Sequence, residues 1–147
     1  MKIHSQILDL VTRNKIEITD ITPQLTAVIS NSGISNGFLI ASSRHTTTAL
    51  IVNEFEERLV QDITLFFEQL VPAQQSYLHN DIHLRDCPPD EPENAHSHII
   101  ATLLNNSEIL PVVDGRLAIG QWQSVMFAEL DGPRDRTIQI QLIGETI

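Results

Sequence analysis

Apolar and polar positions along the chain change period several times, and each change marks an element. Ile3 to Thr12 and Ile16 to Thr19 read as two strands separated by Arg13-Asn14-Lys15, a pairing that resembles a hairpin. Thr22-Pro23 opens a helix whose stripe is Leu25, Val28 and Ile29, with Gly33 as its left-handed stop. Gly37 to Ser43 is apolar on both faces, as a central strand is. In Thr48 to Asn53, Thr48, Leu50 and Val52 alternate with Ala49, Ile51 and Asn53, the two-residue period of a half-buried strand, and His45 stands just before it.

After Glu54 the period becomes helical. Val60, Ile63, Phe67 and Leu70 form a stripe that stops at Pro72, with Asp62 on the solvated side. Ala73 to Glu93 has no usable period and carries Pro88, Pro89 and Pro92. A connection this long inside a small domain is unusual, and functional loops are one standing reason for it. Asn94 is a good N-cap for a third helix through Ile99, Ile100, Leu103 and Leu104, with Asn105-Asn106 as a left-handed stop. Strands then follow at Glu108 to Val113, Arg116 to Ile119 and Gln121 to Leu130, the first two joined by the hairpin signal Asp114-Gly115. After the turn at Asp131-Gly132-Pro133, Thr137 to Ile143 alternates cleanly. This order predicts one α+β domain over residues 1–147, a mixed and mainly antiparallel sheet with two or three helices on one side.

A hydrophobic content of 41% without a long apolar run describes a water-soluble globular chain that does not enter a membrane. Lys2, His4, Gln6 and Asp9 interrupt the first twelve residues, so they form no secretory signal, and the expected location is cytoplasmic. The single cysteine, Cys87, excludes an internal disulfide framework and reads as an ordinary loop thiol. A formal net charge of −10 argues against nucleic acid as a partner. Any anionic substrate must be held by local positive features: a metal ion, a helix N-terminus, or arginines such as Arg44, Arg116, Arg134 and Arg136.

Six histidines are the main candidates for chemistry. His4 lies in the first strand with no cluster of candidate ligands near it. His79 and His83 lie in the long loop. His96 and His98 begin the third helix, where residues two apart point about 200° from each other around the axis. His98 shares a face with Asn94 and Thr102 and is the better ligand, while His96 is left to capping, packing or substrate contact. Three neutral imidazoles with an open fourth position are a common zinc arrangement, although imidazole also suits iron, copper and nickel. Trp122 reads equally as core or as a ligand platform, and Arg136 is a better anion clamp than Arg134 because it opens the last strand.

Several widely spaced blocks together resemble the YjbQ-type family. They are His45-Thr46-Thr47-Thr48-Ala49 with Asn53-Glu54, Tyr77-Leu78-His79, Asn94-Ala95-His96-Ser97-His98, Pro111 to Leu117 running into Gly120-Gln121-Trp122-Gln123, and Asp131 to Arg136. The resemblance implies a small homotrimer, a secondary thiamine-phosphate synthase activity, and His45, His79 and His98 as site histidines. Glu54 and Asn53 are then catalytic candidates close by. Trp122, Gln123, Arg136 and His96 are substrate contacts, and the cofactor is a divalent metal ion, zinc being the best fit. Gln121 and Asn106 depart from the family pattern, which has threonine and glycine there. The leading expectation is a metal-dependent enzyme acting on a phosphorylated small molecule. The alternatives are a metallohydrolase with Glu54 as general base and a metal- or ligand-binding trimer without catalysis.

Overall fold

A computed structural model describes residues 1–146. Its strands are β1 (Lys2–Val11), β2 (Glu17–Asp20), β3 (Ile34–Ser43), β4 (Thr48–Asn53), β5 (Ser107–Val113), β6 (Arg116–Leu117), β7 (Ser124–Glu129) and β8 (Asp135–Thr146). Helices α1 (Thr22–Ser32), α2 (Glu57–Leu70) and α3 (Ala95–Leu103) complete it. One domain with antiparallel pairing and three helices is the α+β class that the periodicity predicts. The strands divide, however, into two sheets, a five-stranded one in the order β1-β8-β3-β5-β6 and a three-stranded one in the order β2-β7-β4.

The division follows from which faces are apolar. Leu39, Ala41, Leu110, Val112, Ile138, Ile140 and Leu142 make the inner face of the large sheet, and they are covered by Leu25, Val28 and Ile29 of α1 and by Leu50, Val125 and Phe127 of the small sheet. The other side of the small sheet offers Ala49, Met126 and Ala128 to Phe67 of α2 and Ile100 of α3. The small sheet is therefore buried on both faces, and β7, its middle strand, is apolar almost throughout. All helices lie on the inner side of the large sheet. Among the described residues no layer covers its outer face, where Ile3, Ile7 and Ile109 are exposed.

Four local expectations need correction. β1 and β2 do not form a hairpin: β1 pairs with β8 and β2 with β7, because their apolar sides belong to different sheets. Gln121, Trp122 and Gln123 form a turn ahead of β7 rather than part of it, closed by the Gly120 N–H donating to Gln123 Oε1 at 2.7 Å. Asn94 precedes α3 but its side chain does not cap it. The amide donates instead to Asp131 Oδ2 at 2.7 Å, and the Ala95 N–H donates to Asn80 Oδ1 in the long loop. Asn106 is not left-handed, since Asp114 is the one non-glycine residue with positive φ among the described residues. The Asp114-Gly115 turn has φ of 49° and 72°, as the two-residue hairpin requires.

Candidate functional site

The long loop is ordered by contacts that also place His79. Two 3-10 turns, Leu78–Asn80 and Ile82–Leu84, hold its middle. Arg85 Nη1 donates to the His79 carbonyl at 2.9 Å, and the Asn80 side chain is tied to the start of α3. His79 thereby meets His98 edge-on, with ring centroids 4.9 Å apart. His98 in turn borders a cleft of about 330 Å³ together with His45, Thr46, Thr48, Thr102 and Asn106. Thr46 and His98 also border an adjoining polar recess with Asp131, Arg134 and Arg136.

His45 is fixed from behind. The Thr137 N–H donates to its Nε2 at 2.8 Å, so the neutral ring carries its proton on Nδ1. Burial, reinforced by the Arg136 charge, holds its pKa below the ordinary histidine value. His98 is also held below that value, first by burial and then by the proximity of His79. Both imidazoles are neutral at pH 7.

A buried ion pair supports this corner. Glu129, at the end of β7, has no solvent exposure, and Arg136 has 5%. Arg136 donates from Nε to Glu129 Oε2 at 2.7 Å and from Nη2 to Glu129 Oε1 at 2.6 Å, and Nη2 also reaches Thr47 Oγ1 at 2.8 Å. Thr12 Oγ1 and the Asp131 N–H donate to the same carboxylate. Arg136 thus positions Thr47 while the next residue, Thr137, positions His45. Its guanidinium is committed within the protein and is not free to clamp an anion. The cations left for that role are the exposed Arg44 and the partly exposed Arg134, whose Nη2 meets Asp131 at 2.8 Å.

The remaining predicted residues go elsewhere. His96 is 5% exposed and lines a separate small cavity with Ile16, Val71 and Ile100, its Nδ1 without a protein partner. His83 borders a different surface recess with Cys87. Asn53 ends β4 and Glu54 follows it, whereas His45 precedes it, so a strand of six residues, roughly 20 Å, separates them. Trp122 and Gln123 share the Asn53 end, because Ser124 pairs with Asn53 and Glu129 pairs with Thr48. A single subunit therefore does not bring Glu54, Asn53, Trp122 or Gln123 to the histidines. Among the described residues no three His, Cys, Asp or Glu side chains are gathered closely enough to hold a metal ion.

Sequence reasoning overlooked Glu129. Its signal was an acidic residue inside Val125 to Leu130, a run apolar on both faces, where a carboxylate must find a buried cation.

The three burial-lowered histidines make stability pH-dependent. For His96, burial and then Lys15 lower the pKa, so the unfolded chain takes up a proton more readily than the folded one. The same sign holds for His45 and His98. Stability is expected to decline as pH falls below about 6.5, before any carboxylate titrates, by up to about 1.4 kcal/mol per pH unit for each such group. Urea unfolding at pH 7.5 and 5.5 checks this, and equal stabilities at the two would contradict it.

Stacked antiparallel sheets with helices on one side and a histidine-lined cleft at the sheet edge define a small α+β protein with a polar surface site. Residues 6–145 match the YjbQ family, described as UPF0047 protein YjbQ-like, and the chain belongs to that family. It is 43% identical to a UPF0047 protein of Methanothermobacter thermautotrophicus, over 99% of this chain and 95% of that one. The UPF0047 protein YugU of Bacillus subtilis is 30% identical, over 93% and 97%. A YbjQ-like protein of unknown function from Sulfolobus solfataricus superposes with a TM-score of 0.88 at 34% identity, covering 98% of this chain and 99% of that one. A hypothetical protein from Aeropyrum pernix gives 0.86 at 35%, covering 97% and 99%. No helix among the described residues is long and apolar enough to cross a membrane.

Proposed function

We propose that the cleft at His45 and His98 is the active site of a cytoplasmic enzyme acting on a phosphorylated small molecule, with a divalent cation at the His79–His98 pair. The observation that carries this reading is the meeting of two imidazoles beside a cleft lined with hydroxyls and an amide. Imidazole donors fit zinc better than magnesium, which takes oxygen ligands. When bound, such a cation supplies electrostatic stabilisation to phosphate oxygens. The chain's own groups do the rest: the Nδ1–H of His45 donates to an anionic oxygen, Thr46, Thr102 and Asn106 orient the substrate, and Arg44 and Arg134 attract its charge. His45 fits poorly as a third ligand, because its Nε2 lone pair is taken by Thr137. A thiamine-phosphate synthase activity fits this site as a side reaction, since its diphosphate leaving group calls for a magnesium-like cation. Titration calorimetry with zinc and with inorganic pyrophosphate tests the reading. Heat from neither probe would reject it.

The assembly belongs to the same proposal, as a homotrimer. Antiparallel sheets that face water carry polar residues outward, yet the outer face of the large sheet presents Ile3, Ile7, Val11, Phe38, Ile109 and Val113 at 41–72% exposure. Light scattering is expected to give three times the 16.5 kDa chain mass. Ile7→Asp with Ile109→Asp should shift the protein to monomer, and an unchanged mass in that variant would place the interface elsewhere.

A further inference from the structure

The two groups of chemistry-bearing residues at opposite ends of β4 are complementary in what each lacks. The histidine cleft has imidazoles, hydroxyls and an amide on its own walls, with the carboxylates of Glu91 and Asp131 confined to the adjoining recess that shares Thr46 and His98, and its mouth is open. The other end carries Asn53 and Glu54 with no cleft of their own, flanked by two exposed aromatic side chains, Phe55 at 45% and Trp122 at 69%. The Gly120–Gln123 hydrogen bond holds Trp122 in a tight turn, so it projects as a preorganised knob. Exposed, rigid aromatics of this kind are the side chains that anchor interfaces.

The surface leading to the cleft is built to be covered. The six outward apolar residues of the large sheet amount to a patch on the order of 600 Å², at the top of what soluble monomers expose and close to the ~800 Å² per partner of a standard interface. Between Asp135 and Glu145 at the ends of β8, the charged side chains on this face among the described residues are Asp9 on β1 and Arg116, which pairs with Val113 at the β6 edge. A chain of net charge −10 repels its own copies over most surfaces, and this nearly uncharged face is where a second copy can pack without that penalty. The face also runs into the cleft. Thr137 points outward from β8 and supports His45, and Ser107, paired with Ser42 across the strands, follows the cleft residue Asn106.

We infer that a second copy of the chain completes the site, the Asn53–Glu54 and Trp122–Gln123 end of one subunit sitting over the histidine cleft of the next. The contact joins two different surfaces, so it is head-to-tail, the kind of contact from which a closed ring such as the proposed trimer is built. Glu54 of the neighbouring copy adds a carboxylate to the cleft itself, beside those of the adjoining recess, and its Trp122 packs over the mouth. The inference rests on self-association and deepens the active-site reading above.

Inter-subunit disulfide formation tests it without needing metal, substrate or turnover. On a Cys87→Ser background, full-length chains carrying Thr102→Cys are co-expressed with chains carrying Gln123→Cys, and Asn106→Cys serves as a second cleft variant should Thr102→Cys disturb α3. Mild oxidation is expected to join most mixed pairs into a species of twice the chain mass, with neither variant forming it alone. Absence of that species with both cleft variants, in protein that light scattering shows to be oligomeric, overturns the inference, and so does a monomer. Cross-linking without zinc or pyrophosphate binding would keep the composite site and reject only the proposed function. Binding without cross-linking would do the reverse.

Discussion

Replacing Arg136 by methionine is expected to destabilise the protein by about 3–5 kcal/mol, the usual cost of leaving one member of a buried pair uncompensated. The carboxylate of Glu129 is fully buried on the middle strand of the small sheet, and Arg136 supplies two of its hydrogen bonds. In a domain of this size that corresponds to a fall in Tm of roughly 10 °C. Burial alone would raise the Glu129 pKa, but the hydrogen bonds and charge of Arg136, with those from Asp131 and Thr12, outweigh it and hold the group below the ordinary 4.5. A depressed folded-state value means that the pair stabilises the protein above about pH 4.5 and ceases to as pH falls through that lowered value. The deficit of Arg136→Met should therefore be largest at neutral pH and shrink in acid. Urea unfolding followed by circular dichroism measures it. The double variant Glu129→Leu, Arg136→Met should recover much of the loss, because two apolar groups of similar volume leave no stranded charge. A loss below about 1 kcal/mol in the single variant would show the pair to be as weak as a surface salt bridge.

The elements were legible wherever periodicity and local chemistry agree. The α1 stripe with Gly33 beyond it, the α2 stripe ending before Pro72 and the Asp114-Gly115 turn are all local signals, and the structure shows each of them. Strand partners were not legible in this way. Pairing is decided by which long-range layer an apolar side joins, and Leu8 and Ile18, close in the chain, belong to different cores. The helical phase of α3 could be read, since a two-residue offset alone sends His96 and His98 toward different cavities. His79 came from the family resemblance, because nothing in an aperiodic loop fixes where a side chain lands. The Glu129–Arg136 pair and the grip of Thr137 on His45 were not foreseen. They join residues seven positions apart across a turn and ninety-two positions apart across the fold, and only the packed structure brings such residues together.

Substituting His98 by alanine is expected to weaken zinc binding by more than the roughly 10–100-fold that the loss of an outer-shell partner costs, because a direct donor is removed. His79→Ala should behave alike, since the two rings meet edge-on. His45→Ala should have the smaller effect, its Nε2 being engaged by Thr137, and His96→Ala should leave affinity nearly unchanged because it opens on another cavity. The pH dependence follows from the state of the ring. A histidine coordinates only when neutral, and burial, then the nearness of His79, holds the His98 pKa below the ordinary 6.5. Affinity should thus persist from neutral pH to somewhat below 6.5 and fall as pH drops through the lowered value. Titration calorimetry with zinc across pH 5 to 7.5 on the four alanine variants distinguishes these outcomes. Loss of binding in His96→Ala with retention in His98→Ala would reverse the assignment, and a parallel loss in His45→Ala would restore three imidazoles to one cation.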